Sequence, residues 1–323
     1  MRKVFEDRRV LVIGGFGFIG ANLSEQLGAL GARVTIVTRS IDRHRDAAAD
    51  AAARGAHVVE ADLRDADAMR SAVAGQEVVF NLAGQSGAVQ SMQDPFTDLD
   101  VNCRGNLVLL EALRTENRSA KLVFASSRLV YGRAVAMPVT EDHEPNPTSV
   151  HGLNKLAVEK YLHVYGYVHG LAWTIARLTN PYGPGQPSDR TAYGVVNHMI
   201  HRALAGDRIL VYGDGCQQRD YIYIDDAVAA LLRMAELAAS CGRTYNVGSG
   251  VGTRLVDMAR AIVAMAGGGR LETIAWPPLA ERIETGDFVG DIGRIHRELA
   301  WEPRVSLEEG LARTVAFYRA HAA

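Results

Sequence analysis

The sequence predicts an α/β protein with a doubly wound parallel sheet and a second, smaller α/β lobe. In the first half of the 323 residues, short runs rich in Val and Ile alternate with helical patterns. Such alternation is typical of parallel strands that are covered by helices on both faces. A glycine-rich turn follows the first run, as expected where a parallel strand leads into a helix. After Leu178 an irregular segment rich in proline and glycine interrupts the alternation, which predicts that the smaller lobe begins there.

The individual elements follow from the period of the apolar residues. The predicted strands are residues 9–13, 33–38, 57–61, 78–82, 121–126, 172–178 and 244–247. The predicted helices are residues 19–30, 66–74, 96–116, 152–165, 194–204, 227–238 and 255–266.

Composition excludes several classes of function. Lys and Arg together number 35 and Asp and Glu 37, which gives a formal net charge of −2 with no basic tract or acidic tail. We therefore expect neither a nucleic-acid partner nor a membrane partner. Cys103, Cys216 and Cys241 have no metal-like spacing, so they predict ordinary thiols, no metal site and a cytoplasmic location.

The glycine-rich turn carries the most information about function. The first apolar run stops at Gly14, and two further glycines follow at intervals of three before a helical pattern. Glycine lets the backbone turn tightly and approach a pyrophosphate, and the helix N-terminus offers free N–H groups to that anion. A plain glycine-rich turn is the alternative. We predict a Rossmann-type dinucleotide site that includes Gly14, Gly17, Phe18, Ile19 and Gly20.

Further segments extend this pattern along nearly the whole chain. They are residues 14–20, 61–63, 81–84, 123–127, 130–132, 151–155, 178–183, 219–226 and the tail from 286 to 303. In this order and spacing the chain resembles the extended short-chain dehydrogenase/reductases, in the nucleotide-sugar epimerase/dehydratase branch. The resemblance implies a nicotinamide dinucleotide, a nucleotide-activated sugar as substrate, and a homodimer formed through the predicted helices 96–116 and 152–165. We expect residues 1–178 and 221–250 to form the dinucleotide-binding domain, and residues 179–220 and 251–323 the substrate-binding lobe.

The end of the second predicted strand bears on the choice between NAD and NADP. NAD-specific enzymes usually place an acidic residue there for the ribose 2′-hydroxyl, whereas this chain has Thr38 and then Arg39, with the basic segment 43–45 nearby. Because a guanidinium binds phosphate oxygens through two bonds, we favour NADP over NAD. A solvated basic loop that tolerates either cofactor is the alternative. The resemblance further implies that Asp62 meets the adenine amino group and that the remaining cofactor contacts are Leu63, Leu82, Ala83 and Lys155.

The catalytic set that the resemblance implies has one unexpected member. The family uses a Ser or Thr, a Tyr and a Lys; Ser127 and Lys155 match the first and last, but the tyrosine position is His151. Residues four apart share a helix face, so His151 and Lys155 can face one pocket. We predict that His151 acts as acid and base, since imidazole exchanges protons near neutrality. Two alternatives stay open: Ser127 relays the proton itself, or His151 is only a polar residue at a helix start and the protein binds a dinucleotide without turnover.

The residues after Ser127 narrow the reaction. Relatives that dehydrate hexoses carry an Asp–Glu pair there and decarboxylases carry a Glu, whereas this chain has Arg128 and Leu129. The carboxylate that elimination requires as an acid or base is therefore absent from these positions. This leaves a 4-epimerase as the leading hypothesis and an NADPH-dependent ketosugar reductase as the alternative.

The substrate end is predicted from the same resemblance. It implies that Ser127, Asn180 and Arg219 bind the nucleotide sugar, and that Arg282 replaces an arginine that relatives carry near Asp287. An ion pair of Arg219 with Asp220 is the alternative. The tyrosines that could stack on a base, although such residues are more often packing residues, are Tyr182, Tyr193 and Tyr212.

Overall fold

The computed structural model describes residues 2–186 and 194–321, and a seven-stranded parallel sheet lies at its centre. The sheet has the order β10-β6-β5-β4-β1-β2-β3. Its strands are β1 (Arg9–Ile13), β2 (Arg33–Thr38), β3 (His57–Glu60), β4 (Val78–Asn81), β5 (Lys121–Ser127), β6 (Ala172–Leu178) and β10 (Arg243–Val247). All neighbouring pairs are parallel. The predicted α/β class is confirmed, and these strands differ from the predicted ones by at most one residue at either end.

Two small sheets lie outside the central one. β7 (Asn180–Tyr182) pairs in parallel with β9 (Gln218–Tyr223), which pairs antiparallel with β11 (Gly252–Arg254), and β8 (Arg208–Tyr212) pairs in parallel with β12 (Arg270–Ile274). β7 begins two residues after β6 ends, so it continues from the carboxyl edge of the central sheet.

Helices cover both faces of the central sheet. They are α1 (Arg2–Phe5), α2 (Phe18–Ala29), α3 (Arg45–Ala53), α4 (Ala66–Val73), α5 (Ala88–Gln93), α6 (Pro95–Leu99), α7 (Gly105–Glu116), α8 (Val150–His169), α9 (Val195–Leu204), α10 (Ile224–Glu236), α11 (Leu255–Ala266), α12 (Pro278–Ile283), α13 (Gly293–Leu299) and α14 (Leu307–Ala320). Among the described residues no helix is both long and apolar enough to cross a membrane.

The alternation of side chains along β1 shows how the two faces are filled. Val10 and Val12 belong to a core shared with α2 and α10, whereas Leu11 and Ile13 belong to a core shared with α4, α7 and α8. Both sets are buried, as expected for a central parallel strand.

Several helical segments differ from the sequence predictions, which did not include α1, α3, α5, α12, α13 and α14. The predicted helix 96–116 is α6 and α7 joined by a π-helical turn, Asp100–Arg104. The basic segment 43–45 does not lie in a simple loop, because it forms a short 3₁₀ turn and enters α3. α3 is rich in alanine, which favours helix without giving an amphipathic period. α14 was not predicted, although Ser306 caps it by accepting a hydrogen bond from the N–H of Glu309.

Candidate active site

The glycine turn brings the β1 carboxyl end close to the loop after β4. Gly14 has a φ of 81°, and a Cβ atom added there would lie 2.9 Å from Cα of Ala83. Gly20 packs even more closely, since an added Cβ would lie 2.2 Å from the carbonyl oxygen of Gly14. These two glycines are needed because the backbone packs closely at both positions.

The N-terminus of α2 is the part of the turn that was predicted to bind phosphate. Gly17 precedes the helix in an extended conformation and is exposed, and no side chain caps the helix. The N–H groups of the first turn, those of Phe18, Ile19 and Gly20, therefore lack an intrahelical acceptor. Free N–H groups at a tight glycine turn fit the pyrophosphate of a dinucleotide.

The residues predicted for the adenosine end lie at the ends of β2 and β3. Thr38 is buried, whereas Arg39 is exposed and contributes to lowering the pKa of Asp62. The main cause of that lowered pKa is the pair with Arg64, whose guanidinium donates to both Asp62 oxygens at 2.8 and 2.9 Å. Leu63 is buried in the core beside these groups.

A network of asparagines holds the loop that carries Leu82 and Ala83. Asn102, in the π turn, accepts from the N–H of Gln85 and donates to its carbonyl oxygen, at 2.9 and 2.8 Å. The Asn81 side chain accepts from the N–H of Ala83 at 3.2 Å. A Cβ added at Gly84 would lie 3.6 Å from Nζ of Lys155. The loop therefore joins the dinucleotide turn to the catalytic candidates.

The segments that carry Ser127, His151 and Lys155 pack together at the carboxyl end of β5. Ser127 ends that strand, and its hydroxyl accepts from the N–H of Leu129 at 3.2 Å. The first turn of α8 packs against the segment after Ser127, because a Cβ added at Gly152 would lie 2.5 Å from the carbonyl oxygen of Leu129. Ser149 caps α8 by accepting from the N–H of Gly152.

Lys155 is held by a carbonyl and an aromatic ring. Its Nζ donates to the carbonyl oxygen of Ala125 at 2.9 Å and lies 4.8 Å from the ring centroid of Phe124. Burial lowers the pKa of Lys155 to about 8, although Asp98 and Glu159 oppose this effect. A buried cation with donors to spare can bind hydroxyl groups of a ligand.

His151 lies beside a buried carboxylate that the sequence analysis did not identify. Its Nδ1 is 3.5 Å from Oδ2 of Asp98 and 3.4 Å from Nδ2 of Asn102. Its main-chain N–H donates to the hydroxyl of Ser91 at 3.0 Å. The side chain is 7% exposed.

A cationic cluster lies beside Asn180, one of the residues predicted to bind substrate. Arg128 donates to Oδ1 of Asn180 at 3.5 Å and to the hydroxyl of Thr285 at 3.1 Å. Burial and then the neighbouring Arg219 lower the pKa of Arg128 to about 10. Tyr221 is 4% exposed, and its hydroxyl has no hydrogen-bond partner among the described residues.

Arg219 is paired with Glu284 and not with its neighbour Asp220. It also donates to the carbonyl oxygens of Gln218 and Gly286 at 2.8 and 2.7 Å. Asp220 instead accepts from the N–H groups of Ser249, Gly250 and Gly290. The alternative of an Arg219–Asp220 ion pair is therefore wrong.

The other residues predicted to contact substrate, Arg282 and the three tyrosines, have different surroundings. Arg282 is exposed on α12 and has no hydrogen bond or ion pair within residues 2–186 and 194–321. Tyr182 is buried and donates to the carbonyl oxygen of Leu307, while Tyr212 packs against Trp276. Tyr193 lies outside the described residues.

The polar residues that sequence reasoning missed form a stripe. Asp98, Asn102 and Asn106 are each at most 2% exposed and follow one another at intervals of four. Residues at this spacing share a helix face. Buried polar groups need partners, so polar side chains repeated on an otherwise apolar face are the signal that could have revealed this network.

Comparison with known proteins identifies the family of this chain. Residues 10–248 match the model of the NAD dependent epimerase/dehydratase family. The chain therefore belongs to the NAD-dependent epimerase/dehydratase family, and its resemblance to the nucleotide-sugar branch is confirmed.

Individual relatives span nearly the whole chain. A UDP-glucose 4-epimerase of Mycolicibacterium smegmatis is 35% identical over 96% of this chain and 98% of its own length. A dTDP-glucose 4,6-dehydratase of Streptomyces griseus is 30% identical over 97% of this chain and 94% of its own. Similarity in sequence therefore extends to relatives that perform different reactions.

Solved structures of similar proteins include complexes with substrate and with cofactor. The UDP-glucose 4-epimerase of Thermotoga maritima with UDP-glucose has a TM-score of 0.88 and 31% identity, over 97% of this chain and 99% of that one. The UDP-glucose 4-epimerase of Thermus thermophilus with NAD has a TM-score of 0.86 and 32% identity, over 96% of this chain and 99% of that one.

Proposed function

We propose that this protein is a nucleotide-sugar 4-epimerase that uses a bound nicotinamide dinucleotide. The observation that carries the proposal is that the first turn of α8, with His151 and Lys155, packs against the end of β5 that carries Ser127, while Arg128, in the cluster with Arg219, follows directly after Ser127. The full-length similarity to UDP-glucose 4-epimerases supports it. Arg128 and Leu129, which follow Ser127, offer no carboxylate for elimination, and this favours epimerisation over the dehydration of other relatives.

The glycine turn would hold the dinucleotide. The N–H groups at the start of α2 would bind its phosphates, and Lys155 would hold the nicotinamide ribose, with Leu82 and Ala83 along the cofactor. When bound, the nicotinamide supplies reversible hydride transfer at the sugar's C4.

The side chains of this site bind the sugar and move its proton. Ser127 hydrogen-bonds the C4 hydroxyl, and the imidazole of His151 takes the proton from that hydroxyl oxygen as the C4 carbonyl forms. After the sugar has turned its other face, His151 returns the proton to the same oxygen. A group that both takes and returns the proton must work near its own pKa, which suits imidazole at neutral pH.

The cationic cluster is suited to the diphosphate of a nucleotide sugar. The two guanidinium groups have one directly bound carboxylate, that of Glu284, because the second acidic neighbour, Asp220, accepts hydrogen bonds from backbone N–H groups. Arg219 and Asn180 are two of the predicted substrate residues. The side chains of Arg128 and Tyr221 lie in the same cluster and can donate further hydrogen bonds. Arg282 is a prediction of the same kind, although it is exposed and outside the cluster.

We favour NADP as the preferred cofactor, with NAD as the alternative. Arg39 and Arg43 are exposed and form no ion pair in the described part of the chain, so their guanidinium groups are available to a 2′-phosphate. Arg45 is less suitable because it is paired with Asp42. The availability of Arg39 and Arg43 to a 2′-phosphate also favours the second candidate function, an NADPH-dependent ketosugar reductase. A dinucleotide-binding protein without turnover is the remaining candidate.

One experiment separates these three functions. The purified protein is incubated with a panel of UDP- and dTDP-linked hexoses and 4-ketohexoses, with and without NADPH. Sugar products are followed by NMR and NADPH by absorbance. Inversion at C4 without net loss of NADPH supports the epimerase, and stoichiometric loss with a 4-keto substrate supports the reductase. Tight cofactor binding without any product supports the third function and overturns the first two.

We also propose a homodimer in the cytoplasm. Phe96 on α6 and Leu153 and Val164 on α8 are exposed, on two of the helices through which the resemblance implies dimerisation. All three cysteines are free, which suits a reducing compartment. Light scattering measures the molar mass of the wild type and of Phe96→Glu and Leu153→Glu. A buried charge in the proposed interface should convert the dimer into monomers.

A further inference from the structure

Asp98 is a buried carboxylate whose position needs an explanation. It lies on α6, has no exposed surface, and is separated from His151 by more than fifty residues of sequence. One oxygen accepts from Nδ2 of Asn154 at 2.8 Å. The other, Oδ2, has no hydrogen bond among the described residues and lies 3.5 Å from Nδ1 of His151.

The charge of Asp98 is retained despite its burial. Burial alone raises the pKa of Asp98, but the neighbouring side chains of His151, Asn154 and Asn102 favour the charged form and outweigh this effect, so the net pKa is lowered. A buried carboxylate that stays ionised requires donors on both oxygens. For Oδ2 the nearby donor position is Nδ1 of His151 at 3.5 Å, and the amide of Asn102 is the other neighbour that favours the charged form.

A competing arrangement places the proton elsewhere. Nδ2 of Asn102 lies 3.4 Å from Nδ1 and would donate to it if Nδ1 carried no proton. However, an Nδ1 without a proton would place its lone pair 3.5 Å from the charged Oδ2 of Asp98, and the Asn102 amide, which has two N–H donors, uses one of them on the carbonyl oxygen of Gln85 at the shorter distance of 2.8 Å. A hydrogen bond to a charged acceptor is also about twice as strong as one between neutral groups. Nδ1 therefore carries a proton and donates it in a hydrogen bond to the Asp98 carboxylate.

We propose that Asp98 is a positioning residue that fixes the tautomer of His151, with the proton on Nδ1 and Nε2 free to accept. This inference rests on the proposed function, in which His151 exchanges a proton with the sugar. The proton leaves the C4 hydroxyl oxygen for Nε2, the imidazolium is stabilised by Asp98, and the proton later returns by the same route. Asp98 keeps its charge throughout. Asn154 acts through Asp98, because its amide orients the carboxylate.

The direct test is the tautomer itself. ¹⁵N-labelled full-length protein, with NAD⁺ or NADP⁺ added, is studied by NMR of the histidine ring nitrogens, and the His151→Gln spectrum assigns the His151 signals. In the wild type the neutral ring is expected to carry its proton on Nδ1. In Asp98→Asn a large fraction is expected to carry it on Nε2. If the wild-type ring carries the proton on Nε2, the Asn102 arrangement is correct and the proposal is overturned, whether or not the variant folds.

Kinetics provide the second test. Asp98→Asn is expected to lower kcat for the sugar identified by the panel by about 10²–10⁴-fold, the usual contribution of a positioned acid and base, with KM and the cofactor Kd little changed. Asp100→Asn is the matched control, since it removes a half-exposed carboxylate from the adjoining turn, where its partners are Arg64 and Arg104. Equal losses in both variants, or a shifted tautomer without loss of kcat, would overturn the positioning role.

The two proposals fail in different ways. If no nucleotide sugar reacts with the wild type, the proposed function fails, while the tautomer measurement still tests Asp98. If the wild type turns over and Asp98→Asn does so equally well, the positioning role fails alone.

Discussion

Replacing Gly20 by alanine should disrupt the dinucleotide turn, whereas the same change at Gly28 in the same helix should not. At Gly20 the new Cβ would lie 2.2 Å from the carbonyl oxygen of Gly14 and 2.8 Å from Cα of Gly15. Both are backbone atoms and cannot rotate away. At Gly28 the new Cβ meets nothing within 4 Å.

The distances give the size of the effect. To reach an ordinary contact of 3.4 Å, the start of α2 must move from Gly14 by about 1.2 Å. Forced packing of this kind costs about 1–3 kcal/mol. Gly28→Ala should instead stabilise the fold by up to about 1 kcal/mol, because alanine loses less backbone entropy in a helix.

Cofactor affinity should respond in the same way. A shift of this size moves the N–H groups of α2 away from the phosphate, and loss of one hydrogen bond to a charged group costs about 1.5–3 kcal/mol. The Kd for NAD(P) should therefore rise about 10–100-fold in Gly20→Ala and stay unchanged in Gly28→Ala. Urea unfolding of the apoprotein measures stability, and calorimetric titration with NAD⁺ and NADP⁺ measures affinity. If Gly20→Ala unfolded in urea like the wild type, the packing argument would be refuted. If it also bound NAD⁺ and NADP⁺ with wild-type Kd values, the proposed position of the phosphate at the start of α2 would be refuted.

Three further predictions concern charged residues. Arg39→Asp should weaken NADP binding about tenfold or more relative to NAD, as read from the two Kd values, because the phosphate loses its guanidinium. Arg128→Leu should raise KM for the nucleotide sugar about 10–100-fold, whereas Arg304→Leu, an exposed control, should not. The free energy of unfolding of the wild-type apoprotein should increase by about 3 kcal/mol relative to that of Lys155→Met as pH rises from about 8 towards 10.5. Urea unfolding of both proteins at each pH measures this difference. In that window the unfolded chain retains a proton that the folded chain has released, so rising pH favours folding.

Each of these has a result that would contradict it. An unchanged ratio of NADP to NAD affinity in Arg39→Asp would remove the argument for NADP. A KM shift in Arg304→Leu as large as that in Arg128→Leu would mean that only net charge matters. Parallel stability curves for wild type and Lys155→Met above pH 8 would show that Lys155 is not desolvated.

The sequence by itself determined the sheet and the glycine turn. Both depend on local spacing: the period of apolar residues defines strands and helices, and the tightness of a turn requires glycine. Ser127 and Lys155 were identified as matches to a family pattern. His151 was found as a departure from a family pattern, which identified the position but not its surroundings.

Only the tertiary structure decided which side chains surround these residues. Asp98 reaches His151 because α6 packs against α8, and Arg219 pairs with Glu284 rather than its neighbour Asp220 because β9 approaches the segment after α12. Such pairings join residues about fifty or more positions apart, and their direction depends on how the helices and strands pack. The periodicity of a sequence shows which face a residue occupies, whereas the partner on the opposite face is set by packing and by the need of buried charges for donors and acceptors.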